Sequence, residues 1–335
     1  MGLQIGNIVP RNEINFLDLK DKVLAVDAYN AVYQFLSSIR QPDGTPLMDS
    51  KMKVTSHLSG LFYRNTALLS EGIRLVYVFD GKYNELKGRT HEIRDQIKRE
   101  ARKKYEEAKD EKDVELMEKY AKGFTKLNEE MVQESKELLE AMGIFVVQAP
   151  GEGEMQCAQL VKEGGAYAVA SQDYDSLVVG GRLIQNLTLA RKRKIKNGFI
   201  YIAPELIEYE KTLNSLCINA DQFICLAILV GTDFNPGGIK GVGPKKALAL
   251  VSDKKYPAAI FREVEGKMDF DWKKIFEIFK KPNVSKGLKI KFPKLDKDKV
   301  KKILVEMHNF SLERVEKHIG KLFEIKRESA QKKLF

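Results

Sequence analysis

Apolar residues in this chain fall into two repeating kinds of segment. Short β-branched runs occur at Val23–Val26, Arg74–Phe79, Ile144–Val147 and Ala166–Ala170. Between them lie longer stretches with helical spacing, at about 28–39, 55–70, 127–142 and 153–163. Strands that alternate with helices predict an α/β fold with a mostly parallel central sheet flanked by helices. Weaker strand candidates are Arg182–Gln185 and Phe199–Ile202, with a basic run between them that reads as a loop. Beyond residue 204 the pattern is mostly helical, and 282–298 reads as loop.

The segment from Lys82 to about Leu127 breaks this rhythm. It has no proline, few glycines and many charges. It predicts a solvent-rich helical insertion between the second and third strands, marginal on its own. No run approaches the roughly 20 apolar residues of a membrane helix. The first ten residues lack a basic region followed by an apolar run, so no signal peptide is expected. Cys157, Cys217 and Cys225 sit in apolar helical patterns without C-x-x-C spacing. They read as buried free thiols of a reducing, intracellular protein.

Carboxylates then change the picture. Asp27 and Asp80 directly follow the first and second strands; Glu152 and Glu154 follow the third, and Asp173 and Asp175 the fourth. Open α/β sheets bind ligands beyond the carboxyl ends of their strands. With 47 acids among 335 residues, acids at all four junctions would arise by chance roughly once in two hundred times. Acids packed so closely repel one another unless cations neutralise them. All-oxygen ligands suit hard ions such as Mg²⁺ or Mn²⁺, and a cluster this large suits two of them. Two metals ~4 Å apart serve phosphodiester hydrolysis. The four histidines, His57, His91, His308 and His318, match no zinc spacing.

The net charge of +10 favours a polyanionic partner. The apolar run Phe223–Val230 ends in Gly231-Thr232-Asp233, and Gly241-Val242-Gly243-Pro244-Lys245-Lys246-Ala247 opens the next helix. Gly241 and Gly243 let backbone approach a phosphate, and Lys245 and Lys246 back the free N–H groups. This predicts a helix-hairpin-helix that grips duplex backbone without reading sequence. Asp233 would add a seventh acid. Lys87 and Arg94, seven residues apart, share a helix face and could meet a phosphate. Arg191, Lys192, Arg193 and Lys194 form a further basic run. Tyr33 offers either a stacking surface or a core aromatic.

The motifs V-D-A-Y-N, V-F-D-G-K, A-P-G-E-G-E-M-Q, S-Q-D-Y-D and G-T-D-F-N-P-G-G-I-K-G-V-G-P-K-K-A occur in this order. In this the chain resembles the flap endonucleases of the XPG nuclease superfamily, from Met1 to about residue 320. The resemblance implies a PIN-like nuclease fold whose insertion forms a helical arch over the active site. It implies two Mg²⁺ ions held by Asp27, Asp80, Glu152, Glu154, Asp173, Asp175 and Asp233, with Mn²⁺ as a substitute. Lys87 and Arg94 would stabilise the scissile phosphate, and Tyr33 would stack on a base beside the cut. Gly2 would lie near the active site, Thr55 and Arg314 would hold a one-nucleotide 3′ flap, and carbonyls of 238–243 would bind K⁺. The implied activity is cleavage near the base of a 5′ flap in branched DNA, with 5′–3′ exonuclease activity, in replication and repair.

The implied organisation is one nuclease core over 1–325. It holds an N-terminal region at 1–100, the arch at 82–127 and an internal region at 120–260 with the hairpin motif at 223–250. A flexible tail would follow at 326–335. Gln331, Leu334 and Phe335 supply only the first half of a sliding-clamp box, so either the chain is truncated or clamp binding is weak. A long basic tail is absent, which with the lysine- and glutamate-rich composition points to an archaeal, cytoplasmic protein. Three rivals remain: a DNA-junction binder without catalysis, a haloacid-dehalogenase-type phosphohydrolase, and a related exonuclease or junction resolvase. The second needs D-x-D, where this chain has Asp27-Ala28-Tyr29.

Overall fold

The sequence Val23–Asp27 (β2) is the centre of the molecule. The structure, a computed structural model, describes residues 2–81, 85–111, 113–121, 123, 126–188, 192–195 and 198–331. Parallel neighbours flank β2 on both sides: Arg74–Phe79 (β3) and Ala168–Ala170 (β5). Phe145–Gln148 (β4) extends the sheet beyond β3, and Leu183–Gln185 (β6) extends it beyond β5, both parallel. Two short strands close one edge in antiparallel sense, Glu205–Ile207 (β9) and Asn12–Glu13 (β1). The seven strands run in the order β1-β9-β6-β5-β2-β3-β4. The expected mostly parallel sheet is therefore present.

Side chains alternate along each strand and build a core on each face. Ala25, Val76, Val78 and Val169 face one layer with Cys157, Leu160 and Phe223–Leu229. Leu24, Val26, Leu75, Tyr77, Phe79 and Ala170 face the other with Ala31, Phe35, Leu58 and Leu138. Burial on both faces explains why these strands read as continuous apolar runs. The helices Gly153–Lys162 and Ala220–Val230 thus lie on one side, with Ala28–Ser38 and Glu129–Ala141 on the other. Among the described residues no single helix is long and apolar enough to cross a membrane.

Several expectations need correction. The basic run is not a loop: Lys192–Ile195 (β7) pairs antiparallel with Gly198–Tyr201 (β8). The aromatic and β-branched residues of β8 supply the strand preference that the lysines lack. Arg191 lies outside the described residues, as do Lys82, Leu334 and Phe335. Cys157 and Cys225 are buried free thiols, but Cys217 is exposed. It ends the helix Tyr209–Leu216 in a left-handed conformation, φ 53°, so it belongs to a helix cap and not to a helical face. β1 and β9 were missed because two or three residues carry too little periodicity. The insertion does form helices, Gly88–Asp110 and Val114–Ala121, and the last helix runs from Leu312 to Gln331.

Tyr77 is fully buried, and its hydroxyl donates to Asn65 Oδ1 at 2.9 Å. The Asn65 amide nitrogen has no partner. Tyr77→Phe would leave the Asn65 oxygen unpaired as well. Chemical denaturation should report a loss of ~1–2 kcal/mol; an unchanged midpoint would show that this bond contributes nothing.

Candidate metal and phosphate site

Because β5, β2, β3 and β4 are adjacent and parallel, their carboxyl ends open on one edge. Asp27 is the last residue of β2 and caps the helix Ala28–Ser38, accepting from Asn30 N at 3.1 Å. Asp80 follows β3, and its Oδ1 accepts from Gly153 N at 2.6 Å. Glu152 is the N-cap of the helix Gly153–Lys162, with Glu154 in its first turn. Asp173 and Asp175 follow β5, and Asp175 begins a short helix, Asp175–Val178. Helix N-termini suit carboxylates, which tells why acids recur at these junctions.

Two neutral side chains tie these segments together. Asn30 donates from Nδ2 to Asp173 Oδ2 at 2.9 Å and accepts from Gln172 N at 3.2 Å. Ser171 donates to Glu154 Oε1 at 2.9 Å and accepts from Asp173 N at 3.2 Å. Gly2 presses on the same place: a Cβ there would lie 2.2 Å from Asp173 Oδ1. The expected position of Gly2 beside the acids is thus observed. Asn30 and Ser171 were not singled out from sequence. The available signal was that Asn30 stands one helical turn after Asp27, and Ser171 opens the S-Q-D-Y-D motif.

The seventh acid arrives from outside the sheet, on the side of the helix Gly153–Lys162. The helix Ala220–Val230 ends at Gly231, φ 112°, where a Cβ would meet Gly238 N at 2.5 Å. The turn is fixed by Asn235, which accepts from Thr232 Oγ1 at 2.8 Å and donates to Ile228 O at 2.7 Å. Asp233 then faces the inserted helix. Arg94 Nη2 lies 2.8 Å from both Asp233 oxygens, and Thr90 donates to the Asp233 carbonyl at 2.6 Å. Lys87 pairs with Glu152 and lies 3.8 Å from Asp233 Oδ2. Lys87 and Arg94 therefore both meet the acids, although only Arg94 lies on the helix Gly88–Asp110 and Lys87 is its N-cap, where the spacing predicted one shared helix face.

The electrostatics are those of an uncompensated cluster. Burial, then the Asp80 charge, raises Asp27 well above the usual carboxylate range. Burial, then Asp175, Asp173 and Asp27, does the same to Glu154. Asp80, Glu152 and Asp173 are raised too, chiefly by burial. Burial, then Asp233 and Asp173, pushes Asp175 up to about 8. For Lys87, burial opposes the charge, but Glu152 and Asp233 outweigh it and hold the amine protonated. Asp175 Oδ1 is buried without any hydrogen-bond partner. An orphaned oxygen inside a set of hard oxygen donors fits a divalent cation. Among the described residues no three acids already close around one point. The carboxylates of Glu152 and Asp233 are instead turned to Lys87 and Arg94.

Other predicted residues are spread wider. Tyr33 is 38% exposed and Lys98 Nζ sits 5.9 Å over its ring, so it is a surface aromatic and not a core one. The hairpin joins Ala220–Val230 to Pro244–Lys254, with Gly243 as N-cap and no side chain capping its amides. Gly241 has φ 81°, and Lys246 Nζ donates to its carbonyl at 3.1 Å. Lys245 and Lys246 are exposed. Thr55 is buried while Arg314 is exposed near the start of the last helix. Only the backbone of Lys192, Arg193, Lys194 and Gln331 is described. Two surface clefts, of about 700 and 1600 Å³, contain none of the seven acids.

Comparison with known proteins agrees with this architecture. The XPG N-terminal domain matches residues 4–101 and the XPG I-region matches 143–233. Flap endonuclease 1 of Staphylothermus marinus is 47% identical over 99% of this chain and 97% of its own length. The solved flap endonuclease-1 from Methanococcus jannaschii superposes with a TM-score of 0.79 at 39% identity, covering 98% of this chain and all of that one. The catalytic core of Rad2, solved with a DNA substrate, reaches 0.67 at 23% identity over 93% and 96% of the two chains, which shows a shared fold.

The raised carboxyls make a stability prediction for metal-free protein. Asp175 holds its proton to about pH 8 when folded but to ~pH 4 when unfolded. The folded state then binds more protons in that window, so stability falls as pH rises from ~4 to ~8. In chelator, Asp175→Asn should be more stable than the parent at pH 8, by on the order of 2 kcal/mol and several degrees in Tm. Added Mg²⁺ should narrow the difference. Equal melting at pH 5 and pH 8 for both proteins would refute the strained cluster.

Proposed function

The chain belongs to the flap endonuclease 1 family of XPG nucleases, and we propose that it hydrolyses one phosphodiester near the base of a 5′ flap in branched DNA with the aid of two divalent ions. The observation that carries this reading is the meeting of seven carboxylates with Lys87 and Arg94 at one sheet edge. Asp27, Asp80, Glu152, Glu154, Asp173, Asp175 and Asp233 would hold two Mg²⁺, or Mn²⁺ in their place. When bound, such a pair supplies Lewis acidity to the attacking and the leaving oxygen.

The chain's own residues do the rest. Lys87 and Arg94 exchange their carboxylate partners for the scissile phosphate and donate to its oxygens as charge develops. Asn30 and Ser171 hold Asp173 and Glu154 in register, and Gly2 leaves room beside them. Tyr33 stacks on a base beside the cut. Gly241 and Gly243 bring free amides to the duplex backbone, with Lys245 and Lys246 adding charge, and the carbonyls of 238–243 would hold K⁺. The β7–β8 hairpin and Arg191 add basic contacts. Thr55 and Arg314 hold a one-nucleotide 3′ flap. The residues 82–127 act as the arch, and Gln331, Leu334 and Phe335 are the candidate sliding-clamp contact. We assign the same enzyme a 5′–3′ exonuclease activity and a role in lagging-strand fragment processing and repair in the archaeal cytoplasm.

The test is cleavage of an end-labelled double-flap DNA, with and without Mg²⁺, beside single-stranded, blunt duplex and four-way-junction controls. One dominant Mg²⁺-dependent cut near the flap base supports the reading. Shortening of duplex ends or paired cuts in the junction would move it to a sister activity, and tight binding without cleavage would remove the catalytic claim. Asp173→Ala should lose cleavage and keep flap binding; parental rates in that variant would take Asp173 out of the site. Lys87→Ala and Arg94→Ala should each lower kcat by about 10²–10³-fold with little change in flap affinity.

A further inference from the structure

A second buried cluster of titratable groups lies away from the metal-binding edge. His308 is 3% exposed. Its Nδ1 is 2.9 Å from Asp49 Oδ2, and its Nε2 is 3.1 Å from Glu134 Oε1. With both nitrogens against carboxylate oxygens, the arrangement suits the doubly protonated imidazolium, which donates twice. The three residues belong to three different parts of the fold. Glu134 is on the helix Glu129–Ala141, His308 follows the helical turn Lys302–Met307, and Asp49 is in the loop before Thr55.

Asp49 also organises that loop from within. Its Oδ1 accepts from Lys51 N at 2.8 Å and Lys53 N at 2.9 Å, leaving Oδ2 for the histidine. Beside it, Ser50 donates from Oγ to Asn309 Oδ1 at 2.5 Å. Asn309 holds a left-handed conformation, φ 58°, at the bend that leads to Ser311 and Arg314. On the far side of the bend, Phe310 stacks on Tyr63 with ring centres 6.5 Å apart. His318 packs on Tyr63 at 4.8 Å, and its Nδ1 meets the Arg314 carbonyl at 2.8 Å. The loop ends at Thr55, whose N–H donates to Leu47 O at 2.7 Å.

We infer that His308 is a positioning residue: its charged form fastens the loop ending at Thr55 to the segment that carries Arg314, and so sets the enzyme's preference for DNA with a one-nucleotide 3′ flap. This rests on the reading above that Thr55 and Arg314 hold that nucleotide.

The groups around His308 decide when it is charged. The hydrogen bond to Glu134, and after burial the one to Asp49, hold the ring above its ordinary range. Lys53 faces both carboxylates and pairs with Glu130 at 2.5 Å. His57 lies 3.9 Å from the other Glu134 oxygen, and neither of its ring nitrogens has a hydrogen-bond partner. Burial and then the His308 charge push His57 down to about 3, so it stays neutral and leaves Glu134 to His308. A group raised in this way holds its bonds below its ordinary range and loses them as pH rises through the raised value.

The experiment uses the full chain with Mg²⁺ and two double-flap DNAs that differ only by the 3′ nucleotide. The quantity read is the ratio of their kcat/KM values from about pH 6 to pH 9. Ionisations at the metal-binding edge act on both substrates and cancel in the ratio. The ratio should fall about tenfold through the titration of His308, mainly through KM. NMR of the His308 ring should give the same midpoint. Glu134→Gln should move that midpoint to lower pH, and His308→Gln should show the low ratio throughout. A ratio that is flat with pH and unchanged in His308→Gln, while Arg314→Ala abolishes it, overturns the inference alone. A ratio that survives Arg314→Ala overturns the reading of that pocket, and the inference with it.

Discussion

Everything at the candidate site follows from one constraint: seven carboxylates are held close together where water is scarce. Fully ionised, they face only Lys87 and Arg94 as paired cations among the described residues. The remaining charge must be met by protons or by ions from outside. Protons are the chain's own answer, seen in the upward shifts of Asp27, Glu154 and Asp175. Two divalent ions would supply four of the five missing charges without protonating a ligand. The fold therefore stores repulsion that bound cations would relieve, an exchange of stability for function.

The architecture makes that concentration of charge feasible. Four adjacent parallel strands must end on the same edge, and each hands the chain to a helix whose first amides favour an anion. Asn30 and Ser171 then act as neutral spacers, satisfying carboxylate oxygens without adding charge. The inserted helix adds a constraint of its own. Arg94 on that helix and Lys87 at its N-cap bind Asp233 and Glu152, so the insertion and a cation pair would draw on the same oxygens. A phosphate that takes over Lys87 and Arg94 frees those oxygens.

Much of this was legible in the sequence because the strongest signals were repeated. The four core strands were each an apolar run followed by an acid, and the sheet order then forced the acids together. The seventh, Asp233, was legible through the glycines around it, since only a tight turn uses them in that way. What was not legible depended on single residues or on pairing across distance. β1 and β9 are too short to show a period, and the lysines of β7 read as loop until paired with β8. Cys217 looked like a helical residue because its left-handed backbone leaves no trace in composition. Asn30 and Ser171 were visible as letters of motifs, but their partners lie 143 and 17 residues away.

The two acidic clusters make the contrast sharper. Asp49 and Glu134 are as deeply placed as some of the acids at the sheet edge, yet the chain itself provides their cation in His308. That cluster closes on itself and knits three segments together. The sheet-edge cluster leaves Asp175 Oδ1 with no partner at all. With one imidazolium for two carboxylates the first cluster is left one charge short, and with two paired cations for seven the second is left five short. The distinction rests on the count of nearby cations and not on the number of acids. Within one chain of net charge +10, that balance separates an edge whose donors suit added cations from a cluster whose acids share a cation of the chain's own.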